Sequence, residues 1–92
     1  MNSRNWYRGI RDSEVFLVIG TESYFEDAIC FCQAEIAKEL NKPFRILLKN
    51  GVEIPPDFLK GVKDSAIEKW KTKKDLYPAT LKLLAISTYF AE

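Results

Sequence analysis

Residues 14–20 have the sequence EVFLVIG, and this stretch decides the fold class. Its five consecutive apolar residues end at a glycine. A short uninterrupted apolar run predicts a β-strand that is buried on both faces, as strands of a parallel sheet are. Residues 44–49, FRILLK, are a second candidate strand, and Pro43 stands just before them, where a strand tolerates proline. Residues 66–70, AIEKW, are a third and shorter candidate.

One long helix is predicted between the first two strands. Ser23 and Glu26 have the Ser-x-x-Glu spacing of a capping box, which would start the helix. Residues 41–43, Asn-Lys-Pro, would end it. Its apolar residues recur every three or four positions and form a single stripe, which contains Phe25, Ile29, Cys32, Ile36 and Leu40.

Shorter helices are predicted elsewhere in the chain. Residues 51–55 form a loop, and residues 56–63 form a short helix that begins at a proline. Asp75 caps a C-terminal helix with Pro78 in its first turn. The apolar face of that helix contains Tyr77, Leu81, Leu84 and Thr88. Residues 4–11 form a helical turn that packs Trp6, Tyr7 and Ile10.

The alternation of helices and strands predicts the α/β class. Strands that alternate with helices form a parallel sheet with right-handed crossovers. The prediction is therefore a minimal three-layer domain, in which a three-stranded parallel sheet is flanked by helices. A length of 92 residues suits one domain, residues 1–92.

The charge balance argues against nucleic-acid and membrane-surface partners. Fourteen basic and thirteen acidic residues give a net charge of +1, whereas nucleic-acid and membrane-surface binders normally have a basic bias. No apolar run approaches the roughly 20 residues of a membrane helix. The N-terminal sequence MNSRNWYRG lacks the apolar stretch of a signal peptide, so a cytoplasmic location is expected.

The cysteines give no indication of a metal or redox site. Cys30 and Cys32 would point about 160° apart on a helix, so they cannot form a disulfide with each other. Two thiols without any histidine are a poor zinc site. Both cysteines are predicted to be small buried apolar residues, and no metal or cofactor is expected.

A ligand site, if the fold has one, is expected at the carboxyl ends of the strands. The first strand ends at Gly20 and is followed by Thr21, Glu22, Ser23 and Tyr24, and Asn50 and Gly51 follow the second strand. Two interpretations remain open here. These residues cap the helix, or the N–H groups of the helix N-terminus bind an anion. No glycine-rich phosphate loop is present.

The sequence from residue 10 to residue 48, IRDSEVFLVIGTESYFEDAICFCQAEIAKELNKPFRILL, resembles the central part of TIR-like domains. The stretch GVEIPPDFLKGV that follows it is similar to the same family. The segment AIEKW, followed by a helix, is similar to the bacterial and archaeal branch that contains phage-defence proteins. The resemblance covers roughly residues 8–86. The positions that match the family's spacing are Ser13, Thr21, Tyr24, Cys30, Ala37, Lys42 and Pro43.

This resemblance implies a flavodoxin-like fold, of which the chain would be the C-terminal half. Family members begin with a further strand, a loop that contacts the nucleotide, a helix and a second strand, and these elements are not expected here. Enzymatic members cleave NAD with a glutamate that aligns with Gln33. An amide can neither stabilise a developing cation by charge nor act as a base. Glu35 would be a displaced catalyst only if Cys32 took the place of the family's cysteine and the turn held two extra residues.

Three functions follow from the resemblance. The leading prediction is a non-enzymatic TIR-like interaction module that modulates a full-length TIR-like partner. The first alternative is a NAD-cleaving glycohydrolase or cyclase assembled from two chains. The second is a sensor that binds a nucleotide or a NAD-derived product through residues 20–24 and Gln33, without turnover.

The first strand is the predicted interface. Three parallel strands in chain order place both crossover connections on one face of the sheet. Only the C-terminal helix remains for the other face, and it is wide enough for about two strands. The first strand would then be half bare, and its edge has no lysine or proline to block pairing. We expect a homodimer or a partner at Val15, Leu17 and Ile19, with two first strands pairing antiparallel, unless Trp6 and Tyr7 cover the gap.

Overall fold

The computed structural model describes the backbone of residues 3–91 and the side chains of residues 7–85. In chain order its elements are α1 (Ser3–Asp12), β1 (Phe16–Gly20), α2 (Glu22–Glu26), α3 (Ala28–Glu39), β2 (Phe44–Lys49), β3 (Ser65–Trp70) and α4 (Lys73–Ala91).

The three strands form a parallel sheet in the order β1-β2-β3. Phe16 of β1 lies opposite Phe44 of β2, and Phe44 lies opposite Ser65 of β3. The predicted α/β fold, a three-stranded parallel sheet flanked by helices, is thus confirmed, and it is consistent with a small flavodoxin-like arrangement. Residues 44–48 of the central strand are buried, because both faces of the sheet are covered there.

The larger part of the core lies on one face of the sheet, beneath α1, α2, α3 and the segment between β2 and β3. Two alanines of α3, Ala34 and Ala37, are buried against this face, and their small side chains allow close packing of helix and sheet. Phe58 enters the same core from the segment after β2, with its ring 5.1 Å from that of Phe25 and 6.0 Å from that of Phe44. The buried residues of this face are Ile10, Val18, Ala34, Ala37, Phe44, Ile46, Leu48 and Phe58.

The second face of the sheet is covered only in part. Helix α4 packs against β3 and β2, with Ala79 and Leu83 buried against Leu47. Side chains alternate along a strand, so Leu17 and Ile19 of β1 point to this same face, where each is 42% exposed. The expectation that β1 is buried on both faces is therefore wrong. The arrangement of strands in chain order, with a single helix on this face, leaves β1 half bare as predicted.

The long helix predicted after the first strand is in fact two helices. Thr21 caps α2, its hydroxyl accepting a hydrogen bond from the Tyr24 N–H at 3.2 Å. Asp27 caps α3, its carboxylate accepting from the N–H groups of Ile29 at 2.8 Å and Cys30 at 3.1 Å. Because Asp27 is itself a strong cap in extended conformation, it divides the segment. The predicted capping box at Ser23 does not form, since this serine lies inside α2.

This division also changes which residues of the segment are buried. Helix α3 begins after Asp27 with its own axis. The three- and four-residue spacing counted from Phe25 therefore does not identify the residues of α3 that face the core. Phe25, Ile36 and Leu40 pack against the core as predicted, whereas Ile29 is 52% exposed and Cys32 is exposed.

The short helix predicted over residues 56–63 does not form, and residues 56–61 form turns instead. Gly61 has a φ of 87°, a left-handed conformation that a helix cannot contain. The turns are closed by backbone bonds such as that from the Phe58 N–H to the Pro55 carbonyl, at 3.0 Å. They place the Phe58 side chain in the core without helical structure.

The two terminal helices differ from prediction in detail. Asp75 does cap α4, but from within the first turn, accepting from the N–H groups of Lys71 and Thr72 at 3.1 and 2.9 Å. Pro78 lies in the second turn of the helix. The predicted apolar face of α4 is wrong, since Tyr77, Leu81 and Leu84 are 73%, 49% and 42% exposed and the Thr88 side chain lies outside the described residues. Helix α1 buries Ile10 as predicted but leaves Tyr7 43% exposed, and the Trp6 side chain is outside the described residues.

Arg45 is a buried charge on the second face, with 1% of its surface exposed. Its guanidinium donates to both carboxylate oxygens of Asp64, at 3.1 and 3.2 Å, and to the Phe44 carbonyl at 3.0 Å. A buried guanidinium needs such partners, because an unpaired buried charge is costly. The role of Arg45 is therefore to join the start of β2 to the turn before β3.

Candidate functional site

A cleft opens at the carboxyl ends of β1 and β2, where parallel α/β sheets bind their ligands. Its volume is about 420 Å³. The cleft brings the predicted residues 21–23 together with the residues that follow β2. Its lining consists of Thr21, Glu22, Ser23, Lys49, Asn50, Gly51 and Val52.

Gly20 does not line this cleft, although the sequence placed it there. It is buried, and a Cβ atom at this position would lie 3.0 Å from the Leu48 Cδ1 atom and 3.3 Å from the Phe25 Cζ atom. Contacts that short would force the neighbouring side chains to move. The glycine is thus explained by packing between β1, β2 and α2, and no ligand is needed to account for it.

Tyr24 and Gln33 are likewise absent from the cleft lining. The turn of α2 directs the Tyr24 ring to the core, where it meets the rings of Phe25 and Phe58 edge-on at 5.5 and 6.0 Å. Gln33 is half-buried on α3. Of the six predicted ligand-binding residues, three line the cleft, Gly20 is buried at the end of β1, and Tyr24 and Gln33 belong to α2 and α3.

Lys49 and Val52 are the lining residues that the sequence interpretation missed. Lys49 is the last residue of β2 and is exposed, whereas the residues before it are buried. A charged residue at the end of an apolar strand is the signal that would have identified Lys49, since the carboxyl end of such a strand borders the ligand crevice.

The charges at this end of the sheet do not favour an anionic ligand. Lys49 is the cation in the cleft, and Glu22 lies in the same lining. An adjoining cleft of about 400 Å³ is bordered by Glu22, Glu26 and Glu53. Carboxylates repel a phosphate group, and α2 has only five residues, so its dipole is small. The Thr21 hydroxyl is engaged in capping.

Glu35, the displaced catalytic candidate, lines neither of these clefts. Its carboxylate accepts from the Lys38 ammonium group at 3.1 Å. The same ammonium group donates to the Asp57 carbonyl at 3.3 Å and lies 6.0 Å from the centroid of the Phe58 ring. Glu35 thus belongs to a partly buried ion pair on the side of α3 that faces the segment after β2.

The two cysteines are free thiols in different surroundings. Cys30 is half-buried, and burial raises the pKa of its thiol, with a further contribution from the nearby Asp27 carboxylate. Cys32 is exposed, so its predicted burial is wrong. Among the described residues, no three His, Cys, Asp or Glu side chains are grouped to hold a metal ion.

A second candidate site is the part of β1 that α4 leaves uncovered, which we call the open face. It contains Leu17 and Ile19, both 42% exposed, and the half-buried Val15 lies in the bend that precedes the strand. In the described part of the chain β1 pairs with β2 alone. The Phe16 N–H donates to the Pro43 carbonyl at 2.8 Å, so the main-chain groups of Leu17 point to the unpaired edge.

The two edges of the sheet differ in charge. The outer strand β3 carries Glu68 and Lys69, and charged side chains of this kind prevent edge-to-edge association. Every residue of β1, and Val15 before it, is uncharged. The open face and the unprotected edge therefore belong to the same strand.

Comparisons with protein-family models, with curated proteins and with solved structures found no match to this chain. The TIR-like resemblance consequently stays a prediction. Within residues 3–91, no helix has the length and apolar character that crossing a membrane requires.

Proposed function

We propose that this chain is a non-enzymatic, TIR-like protein-interaction module that docks through β1. Its partner is a second copy of the chain or a TIR-like protein, whose activity it modulates. The observation that carries the proposal is the open face, because two large aliphatic side chains are exposed beside a strand edge that lacks charge. Exposed apolar surface next to an open edge is typical of an interaction site.

The cleft at the strand ends supports the enzymatic and nucleotide-sensor alternatives less well. Gln33 takes the place of the glutamate that the resemblance requires, and Glu35 is held by Lys38. An NAD pyrophosphate at the cleft would meet Glu22 and its neighbouring carboxylates. A cytoplasmic location is part of the proposal, since a free and exposed thiol such as Cys32 suits a reducing compartment.

We expect the purified protein not to consume NAD. The reason is that Gln33 is uncharged and cannot stabilise a developing ribosyl cation. The measurement is release of nicotinamide from NAD by micromolar protein, with an active TIR-like enzyme as positive control. Turnover that disappears in Glu35→Ala or Glu22→Gln would contradict the prediction and favour the enzymatic alternative.

Docking through β1 is tested by site-specific photo-crosslinking in the native host. A photoreactive residue is placed at Leu17 and, as a matched control, at Ile67 of β3, which is 44% exposed. The proposal expects adducts from position 17 that contain this chain or a TIR-like protein, and few from position 67. Equal labelling at the two positions, or none at position 17, would reject it.

A further inference from the structure

The open face continues onto α4. Tyr77, Leu81 and Leu84 of this helix are exposed, in addition to Leu17 and Ile19 of β1. At a rotation of 100° per residue, these three side chains lie about 130° around the helix from the buried side that Leu76, Ala79 and Leu83 define. They therefore form one stripe along a flank of α4.

This stripe lies on the flank of α4 that is nearer to β1. The position follows from right-handed crossovers in a β1-β2-β3 sheet, with α4 running back over β2 and β3. By the same geometry, applied to α3 on the other face of the sheet, Lys38 lies on the flank of α3 that is nearer to β3. There the Lys38 ammonium group contacts Asp57 and Phe58, so the handedness agrees with an observed contact.

Helix α4 is apolar on more than its buried side. From residue 76 to residue 91 the sequence contains one charged residue, Lys82. Pro78 and Ala85 are exposed on the side of the helix that points away from the sheet. An ordinary surface helix has a polar outer side, whereas a helix that is apolar nearly all round is normally buried. The composition of α4 is therefore that of a helix covered from two sides.

The space beside α4 fits one further helix. A helix about 10 Å wide covers roughly two strands that are 4.8 Å apart, and α4 covers β2 and β3. A second helix placed next to it would cover Leu17 and Ile19 of β1. This second helix would need one apolar side facing the sheet and another facing α4. Helix α4 itself has two uncovered apolar surfaces of this kind.

We propose that this second helix is α4 of another copy of the chain. A two-fold axis parallel to the strands then generates a sandwich, in which the two α4 helices lie side by side between two three-stranded sheets. Leu81 of each copy contacts Leu17 of the other, and the two Tyr77 flanks face each other. Such an arrangement is isologous, so the assembly closes at the dimer. The inference rests on the proposed function and names a second copy of the chain as the partner.

The sandwich covers more apolar surface than the edge-to-edge pairing expected from the sequence. Antiparallel pairing of two β1 strands would join main-chain groups but leave the outer side of α4 exposed. Main-chain groups at an open edge can hydrogen-bond to water, whereas apolar side chains gain only from burial. Helix α1 packs against α3 on the opposite face, so it does not obstruct the sandwich.

The available area suits a weak dimer. The five exposed side chains present on the order of 500 Å² per copy, given their exposed fractions and the usual areas of such residues. Two copies would bury roughly 1,000 Å², which is the lower bound for a specific interface. We therefore expect dissociation in the micromolar range and a dimer at high micromolar concentration.

The test is the mass in solution by light scattering after gel filtration, with three variants of the full chain. The wild type should have about twice the 10.6 kDa mass of one chain. Leu17→Lys and Leu81→Glu should each be monomeric, with association weakened at least tenfold. Because Leu17 and Leu81 meet across the interface, a mixture of these two variants should restore the dimer. Ile67→Lys, at a position of matched exposure on β3, should leave the mass unchanged.

Three results would overturn the sandwich. The first is a wild-type protein that stays monomeric at high micromolar concentration, whether or not it floats with vesicles of neutral and anionic phospholipid. The second is a dimer that persists in either single variant while circular dichroism shows that the variant is folded, and persistence in Leu81→Glu alone would favour edge pairing. The third is a dimer that is lost in both variants but not restored in the mixture, which would show that Leu17 and Leu81 do not meet across the interface. None of these results changes the crosslinking comparison of positions 17 and 67, so a TIR-like partner at β1 would still be detected.

Discussion

Tyr24 has an aromatic ring in the core and a hydroxyl without a hydrogen-bond partner among the described residues. Its ring contacts Phe25 and Phe58, and its hydroxyl oxygen is buried. Burial raises the pKa of this phenol, and the nearby Cys30 thiol contributes in the same direction. A buried hydroxyl that makes no hydrogen bond reduces stability by the cost of its desolvation.

Tyr24→Phe should therefore raise the free energy of unfolding, by about 1 kcal/mol. The wild type should also lose stability as the pH rises above about 10, the ordinary tyrosine pKa. The sign follows because the phenol keeps its proton longer in the folded state than in the unfolded state, so stability is fully present below that pH and decreases above it. Urea unfolding at pH 8 and pH 10.5 measures both effects, and a lower midpoint for the variant at pH 8 would contradict them.

Trp70 is the second aromatic residue whose role the structure indicates. Its indole N–H donates to the Leu47 carbonyl at 2.9 Å, and its ring is half-buried against α4. We expect Trp70→Ala to lower the free energy of unfolding by about 3 kcal/mol, through lost packing and a lost hydrogen bond. Trp70→Phe should recover the packing but not the hydrogen bond. An unchanged urea midpoint in Trp70→Ala would show that the ring is exposed and would restore it as a binding residue.

At this scale the sequence predicted which side chains are apolar better than it predicted where they point. The run from Val15 to Ile19 contains no polar residue that would identify its outer face. The exposure of Leu17 therefore depends on where α4 packs, and the burial of Val18 depends on the helices of the opposite face. Gly20 and Tyr24 stand at the end of a strand, where ligands bind, yet both serve packing. Their roles depend on contacts with Leu48 and Phe58, which are distant in sequence.

At the scale of elements, the existence of each strand was predictable and the helix boundaries were less so. The segment after β1 contains three residues that can cap a helix, Thr21, Ser23 and Asp27. The capping-box spacing favoured Ser23, whereas the structure uses the other two. In α4 the periodicity is ambiguous because apolar residues occupy most sides, so the stripe chosen from spacing was the flank instead of the buried side.

The caps provide a prediction with a control next to it in the chain. Asp27→Ala should lower the free energy of unfolding by about 1 kcal/mol, because two N–H groups of α3 lose their acceptor. Ser23→Ala should have almost no effect, because this serine lies inside α2. Urea unfolding of the two variants measures the difference. A larger loss for Ser23→Ala would mean that the capping box forms after all.

For the whole molecule, the alternation of strands and helices correctly predicted a parallel sheet with its strands in chain order. This order follows from short right-handed connections, which leave few other topologies for three strands. The uncovered position of β1 follows in turn from the width of a single helix on the second face. What covers that position could not be predicted from one sequence, since a second copy adds surface that no feature of the single chain identifies by itself.

Stability should depend on protein concentration if the sandwich forms. A second copy that binds the folded state and not the unfolded state stabilises folding by mass action. For a domain of this size, we expect the thermal midpoint of the wild type to rise by about 3–5 °C for each tenfold increase in concentration above the dissociation constant. Leu17→Lys should show no such rise, and Ile67→Lys should behave as the wild type does. Scanning calorimetry over a range of concentrations measures the midpoints, and a wild-type midpoint that is constant over that range would show that the open face is uncovered in solution.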